Sequence, residues 1–195
     1  MDDRTVVEIE KDIDFHQEQG NIGEVMNLVD ELGNMGDRLT VAITNGDLNG
    51  TLYFESLGFE LSQPFYLKIA AKYGQCEIIN YLIQCGSDVH ANGDEALCFA
   101  AEHGHLEAVQ CLVELGADIH AQEDKPVKLA THANKIGVVQ YLVEAGASID
   151  AVLEIIGDGN FYPELHKWAQ AYKSKQTLEA ELAQKEERTP HKTKI

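Results

Sequence analysis

The chain has 195 residues, 44% of them hydrophobic, with 16 Gly and only 4 Pro, a composition that fits a folded chain and excludes long disordered stretches from its centre. Its formal net charge is −18, from 33 Asp and Glu against 15 Lys and Arg. That charge disfavours nucleic-acid backbones and anionic membranes as partners, because both are negative, and favours a protein with a basic face.

From the N-terminus, the segment 12–34 (DIDFHQEQGNIGEVMNLVDELGN) sets Ile13, Gly20, Ile22, Val29 and Gly33 in a worn form of a helix–turn–helix unit. The segment 39–61 (LTVAITNGDLNGTLYFESLGFEL) is a better copy, with Leu39, Ala42, Gly46 and Gly58 each one constant step before Leu67, Ala70, Gly74 and Gly86. Three further segments then align without a gap at 65–91, 95–121 and 125–151. Ala70, Ala100 and Ala130 fall 30 apart, as do Leu82, Leu112 and Leu142, and Gly86, Gly116 and Gly146. Small or apolar residues at so many fixed offsets define a repeat.

Each unit is expected to hold two short helices. In the unit at 95–121, Ala96 to Glu102 forms the first and His103-Gly104 ends it. Gly104 supplies the left-handed conformation that a helix terminus often needs. The second helix runs from about Leu106 to Leu115, with Leu106, Val109, Leu112 and Val113 on one stripe, and Gly116 stops it. Ala100 and Ala101 are small where two helices approach. Helices this short are unstable alone in water, so stacking must supply the core. After Ala151, Pro163 is placed to open a helix. Leu165, Trp168, Ala169, Tyr172, Leu178 and Leu182 keep partial helical spacing, which predicts a cap over the last unit with Trp168 as its wedge.

No transmembrane run of about 18 apolar residues is present. The opening Met1-Asp2-Asp3-Arg4 lacks the apolar stretch of a secretory signal. The expected location is therefore cytoplasmic. Cys76, Cys85, Cys98 and Cys111 include no CxxC pair and match no zinc spacing, so buried free thiols are expected. No phosphate-binding loop, HExxH or Gly-x-Ser-x-Gly occurs, and Gly46-Asp47-Leu48-Asn49-Gly50 falls at an inter-helix turn. His90 and His120 hold matching positions in adjacent units. At roughly 10 Å per unit they stand too far apart to share a zinc, so hairpin structure explains them better. No catalytic residue, cofactor or metal is expected.

The stretches AAKYGQCEIINYLIQCGSDVHA at 70–91, AAEHGHLEAVQCLVELGADIHA at 100–121 and ATHANKIGVVQYLVEAGASIDA at 130–151 resemble ankyrin repeats. The resemblance is to the short-hairpin kind found in giant DNA viruses and intracellular bacteria. GHLE at Gly104–Glu107 and GADI at Gly116–Ile119 carry it in combination. The family's opening Thr-Pro-Leu-His is replaced by Glu95-Ala96-Leu97-Cys98 and Lys125-Pro126-Val127-Lys128, so the hydrogen bonds that usually tie hairpin to helix are lost. A repeat step shorter than the family's usual one implies clipped hairpins.

The resemblance implies an all-α ankyrin-repeat solenoid with short hairpin connections and a C-terminal capping helix. The expected divisions are 1–36 (degenerate N-terminal capping repeat), 37–62 (degenerate repeat), 63–92, 93–122 and 123–151 (repeats), 152–187 (cap) and 188–195 (flexible tail). It also implies a structural role for His105 and, for a virus or intracellular bacterium, a place in the host-cell cytosol.

The implied function is a non-enzymatic protein-binding module or adaptor. Its concave face would be lined by residues ending the first helix of each unit: Lys72, Tyr73, Glu102, His103 and His132, with Thr131 beside the last. Phe99 shares that side with Ile69 and Leu129, and either joins the interface or packs under its own hairpin. The acidic charge concentrates near the N-terminus, where residues 1–60 hold 14 Asp and Glu against 3 Lys and Arg. A partner with a basic face follows from it. The alternative is an acidic, DNA-mimicking inhibitor of a host enzyme, as in viral counter-defence. Oligomeric state is left open.

Overall fold

The computed structural model describes residues 5–19 and 22–188. Among these residues all regular structure is helical: α1 (Val6–Glu18), α2 (Ile22–Asn45), α3 (Leu48–Ser56), α4 (Pro64–Lys72), α5 (Cys76–Gln84), α6 (Ala91–His103), α7 (Leu106–Glu114), α8 (Ala121–His132), α9 (Ile136–Glu144), α10 (Ile149–Ile156) and α11 (Pro163–Arg188). First helices stack on first helices in the order α2, α4, α6, α8, α10, and second helices α5, α7 and α9 form a parallel row. The fold is the expected all-α solenoid of stacked helix pairs.

The second helices show why the units need one another. Ile78, Ile79 and Leu82 of α5 are buried, as are Ala108, Val109, Cys111 and Leu112 of α7, and Val138, Val139, Leu142 and Val143 of α9. These spacings put one stripe inward along a helix of only nine residues. The first helices bury Leu67, Ala70 and Ala71, then Leu97, Ala100 and Ala101, then Val127 and Ala130, all with at most 1% of their surface accessible. Alanine at the repeated position lets neighbouring backbones approach, and the larger residue beside it fills the gap between layers.

One termination device recurs through the stack. The amides of Gln75, His105 and Lys135 donate to the carbonyls of Ala70, Ala100 and Ala130 at 2.8–3.0 Å. Those of Ser87, Ala117 and Ala147 donate to Leu82, Leu112 and Leu142 at 2.9–3.0 Å. This closure requires a left-handed residue, and Gly116 supplies it with φ 99°. Asn134 takes the same role at φ 53°, where the preceding unit has Gly104. Gly74 meets a second demand besides its φ of 75°: a Cβ there would lie 2.7 Å from the His105 ring. His105 therefore packs across the turn of the preceding unit. Gln75 does the equivalent one unit earlier, donating from Nε2 to the Thr44 carbonyl at 2.7 Å.

The clipped hairpins are left-handed turns. Asn92, Gly93 and Asp94 have φ of 54°, 70° and 59°, and Gln122, Glu123 and Asp124 repeat them at 50°, 60° and 60°. Here the chain replaces the missing family bonds. Asp94 is buried, and its Oδ1 accepts from the Asp118 amide of the next hairpin at 2.9 Å and lies 3.1 Å from His90 Nδ1. Asp124 makes the corresponding 2.7 Å contact with His120. Gln122 Nε2 donates to the Gly93 carbonyl at 2.8 Å, tying hairpin to hairpin. The matched histidines are thus accounted for by matched aspartates within the turns.

The N-terminal region differs from a regular repeat. Gly33, singled out in the worn first unit, lies inside the continuous α2, which also runs through the expected 36/37 division. Its immediate surroundings are open, since a Cβ at Gly33 would meet nothing within 4 Å. In α2 Leu28 is buried while Val29 is 52% exposed. The turn at Gly46-Asp47 does form, and Asp47 caps α3 by accepting from the Gly50 amide at 2.9 Å. Gly20 lies outside the described residues, as does the tail after Arg188.

At the other end α10 begins at Ile149, and Ser148 caps it by accepting from the Ala151 amide. The cap's wedge is Leu165 with Ala169, both 0% exposed, whereas Trp168 is half-buried and stacks on Tyr172 at 5.3 Å. Leu165 lies within the first turn of α11, the helix that packs on α10. The bulkier indole sits at the edge of the contact. Tyr172 reaches the Val143 carbonyl and Tyr162 the His132 carbonyl, at 3.5 and 3.4 Å, and so fasten the cap to the last repeat.

Candidate functional site

The constant repeat step fixes which side chains form rows along the first helices. Lys72, Glu102 and His132 occupy one row as the last, penultimate and last residues of α4, α6 and α8. Lys72 is half-buried, with Nζ 5.6 Å from the centre of the Tyr73 ring. Glu102 is half-buried and His132 exposed. Tyr73 caps α4 and is 45% exposed; His103 is its equivalent one unit on. His103 Nδ1 lies 3.0 Å from the Phe99 carbonyl, and its ring stacks on His105 at 6.5 Å with 5° between planes. Of the expected residues the structure brings Lys72 against Tyr73 and His103 against Phe99, each pair at the end of its own first helix.

Phe99 is half-buried, and its ring is flanked on two sides. His103 stacks at 6.1 Å, and Lys68 Nζ sits 5.7 Å from the ring centre. The same ammonium is 5.8 Å from the Phe65 ring and 3.7 Å from the Glu95 carboxylate. Phe99 thus links α4 to α6 and still shows part of its face.

Three contributors were not among the residues singled out from the sequence. Val41 of α2 is 57% exposed and stands one repeat step before Ile69, so the row Val41, Ile69, Phe99, Leu129 is an apolar line running through successive units. The step that aligns Leu39 with Leu67 also aligns Val41 with Ile69, so the offset alone was enough to find it. Phe65, 47% exposed, and Lys68 open the line on the α4 side. Lys68, Cys98 and Lys128 form the neighbouring row.

Chemistry elsewhere is sparse. Among the described residues no group of three or more His, Cys, Asp and Glu could hold a metal ion, and no helix is long and apolar enough to cross a membrane. All four cysteines are free. Cys98 and Cys111 are buried as expected, but Cys76 and Cys85 are only half-buried. Burial pushes the Cys98 thiol up to about 11 and the Cys111 thiol up to about 12, so neither supplies a thiolate nucleophile near neutral pH. On the second-helix side the Tyr81 hydroxyl donates to Glu55, which raises the Tyr81 pKa and ties α5 to α3. Clefts of about 230 and about 380 Å³ lie between α2 and α3 beside Arg38, Tyr53 and Phe54, the larger reaching Val41.

Comparison with known proteins bears on the repeats directly. A family profile described as "Ankyrin repeats (3 copies)" matches residues 67–152. These residues form an ankyrin-repeat domain. An ankyrin repeat protein of Acanthamoeba polyphaga mimivirus is 34% identical over 79 residues, covering 40% of this chain and 26% of that protein. The matched stretch thus spans about a quarter of that relative's length. Ankyrin repeats generally act as non-enzymatic protein-interaction modules.

Proposed function

We propose that the chain is a protein-binding module that holds its partner on the concave strip built from Lys72, Tyr73, Phe99, Glu102, His103 and His132. The strip extends to Val41 and Lys68. The observation that carries this reading is the apolar line Val41, Ile69, Phe99, Leu129, partly open in every unit and bordered by polar rows. The layer beneath is filled by Leu67, Leu97, Val127 and the repeated alanines, with Ile69 of the line packed partly against it. An apolar centre with a polar rim is the anatomy of a protein interface. Over longer distances the net charge of −18 favours approach to a partner that has a basic face elsewhere on its surface. The inhibitor alternative gains less support, because a DNA mimic needs its negative charge on the binding side, and the strip carries lysines on α4 and again on α8.

The test is affinity capture from the cell that makes the chain, using wild type and the double variant Tyr73→Ala/Phe99→Ala, with circular dichroism and urea unfolding in parallel. Side chains of this size at an interface centre typically cost about 1–4 kcal/mol on truncation, so at least a tenfold loss of affinity is expected. A variant that is folded and captures the same protein with wild-type affinity removes the strip as the binding face.

A further inference from the structure

The chain-wide charge conceals a segregation. The second helices α5, α7 and α9 carry glutamates (Glu77, Glu107, Glu114 and Glu144) and no lysine or arginine. The first-helix segments facing the strip reverse this. In α4 they offer Lys68 and Lys72 with no acid, and in α8 Lys125 and Lys128 with none beyond the hairpin. Only α6, between them, is acidic there, through Glu95 and Glu102. Glu95 is already paired with Lys68 at 3.7 Å. Between positions 39 and 151 the cationic residues are Lys68, Lys72, Lys125, Lys128 and Lys135. All but Lys135 stand on the first helices of an otherwise acidic solenoid. Along the stack the strip thus sets lysine pairs on α4 and α8 on either side of α6, where Glu95 and Glu102 border Phe99.

We infer that the segment seated in the strip is acidic: a peptide with Asp or Glu side chains at two ends of a short apolar centre. This rests on the strip being the binding face, and it names the chemistry of what enters it. The apolar centre would cover Phe99 and its neighbours Ile69 and Leu129. One acidic end would meet Lys68 and Lys72, the other Lys125 and Lys128. Adjacent helices pack roughly 8–10 Å apart, so α4 and α8 are separated by roughly 20 Å. An extended peptide rises about 3.3 Å per residue, which sets the two acidic ends about six residues apart. Lysines beside aromatic rings, as Lys68 is beside Phe65 and Phe99 and Lys72 beside Tyr73, are partly held in place, so less side-chain freedom is lost when a carboxylate arrives. The N-terminal acidic units contribute repulsion to such a segment from a distance. Salt screens that distant field more than it weakens close contacts, since the Debye length is about 10 Å at 0.1 M. The association rate of the acidic peptide should therefore rise with salt, opposite to the behaviour of a basic ligand.

The probe is a fluorescein-labelled ten-residue peptide with two Glu at each end and Leu-Phe in a Ser/Gly centre. A matched peptide carries Lys at the ends instead. Anisotropy and stopped-flow association are measured on the full chain, the variant Lys72→Glu/Lys128→Glu and the variant Phe99→Ala. The acidic-ended peptide should bind at least tenfold more tightly than the lysine-ended one. The lysine-to-glutamate variant should weaken it at least tenfold while leaving urea unfolding near wild type, and its association should quicken with salt. Equal or tighter binding of the lysine-ended peptide overturns the inference, as does acidic-peptide binding that ignores the double variant or no binding by the acidic probe. If both peptides bind alike and Phe99→Ala weakens both, the strip stands and its acidic ligand falls. If Phe99→Ala changes neither peptide nor the captured partner, the strip itself is lost.

Discussion

Replacing Glu123 with glycine should stabilise the chain, although it removes a side chain and adds a flexible residue. Glu123 is held at φ 60° between Gln122 and Asp124, themselves at 50° and 60°. The equivalent turn one unit earlier uses Asn92-Gly93-Asp94, with glycine at the middle position. A non-glycine residue in the left-handed region costs about 1–2 kcal/mol, and short polar side chains such as Asn and Asp tolerate it best. Glu123 has no such tolerance, and its side chain is exposed. Glycine there releases the strain but loses about 0.5–1 kcal/mol more backbone entropy on folding. The net expectation is a gain of about 0.5–1 kcal/mol, or about 1–4 °C in Tm for a chain of this size. Glu123→Ala is the control, because it removes the carboxylate and keeps the strain, so it should stay within about 0.5 kcal/mol of wild type. The mirror substitution Gly93→Ala should destabilise, since its Cβ would stand 2.9 Å from Gln122 Nε2 and push that amide off the Gly93 carbonyl. Urea unfolding followed by circular dichroism gives all three differences. A loss of stability in Glu123→Gly larger than that in Glu123→Ala would refute the left-handed hairpin.

The hairpin aspartates should separate by their bonds. Asp94→Ala and Asp124→Ala share the left-handed backbone penalty, but only Asp94 also accepts from a backbone amide of the following hairpin, so it should cost about 1–3 kcal/mol more in urea unfolding. Equal losses would mean that the Asp94–Asp118 bond contributes nothing. Stability should also fall in alkali. Burial raises the Cys98 pKa from 9.0 to about 11, so the folded state holds a proton that the unfolded state releases. The contribution is fully present below pH 9 and lost as pH rises from about 9 to about 11. Cys98→Ala should flatten that part of the stability–pH curve, and an unchanged curve would place the thiol in a solvated site.

The repeat was readable because its constraints are local and recur. Alanine at 70, 100 and 130 and glycine at 86, 116 and 146 each answer a steric demand that returns once in every unit. Where the demand lapses, the reading weakens. Gly33 resembles a turn residue by position, yet α2 runs straight through it, because a glycine inside a helix costs only about 1 kcal/mol and tertiary packing readily overrides it. The cap shows a different limit. Helical spacing put Leu165, Trp168 and Ala169 on one face but could not say which of them lies nearest α10, and size was a poor guide: the contact takes Leu165 fully and Trp168 in part. The hairpin aspartates escaped notice because the Asp94 bond runs from one hairpin to the next, to the Asp118 amide 24 residues on, and a comparison of residues one repeat step apart does not see it. Among the strip residues, those at helix ends were found by their offset. Val41 shares an offset with Ile69, but its exposure, like the ring contacts of Lys68, is supplied only by the stacked structure.

A stacked repeat divides its side chains between two tasks by position alone. Rows that face the next layer, such as Leu67, Leu97 and Val127, must be apolar and of matched volume, and they vary little in kind. Rows on the strip carry no such demand. There the same offset holds Lys72, Glu102 and His132, a cation, an acid and an imidazole. Stacking tolerates all of these, so the order of charges along the strip does not follow from the fold. Charge on the second helices is uniformly acidic and serves solubility equally well in any order. The strip's alternation is different, because it places Lys68, Lys72, Lys125 and Lys128 on the face with the open apolar line and leaves the acids of α6 beside Phe99. A solubility requirement would not gather the lysines on this one face. A ligand with acidic ends and an apolar middle would, and for that reason the local pattern of the strip is a better guide to what it binds than the net charge of −18.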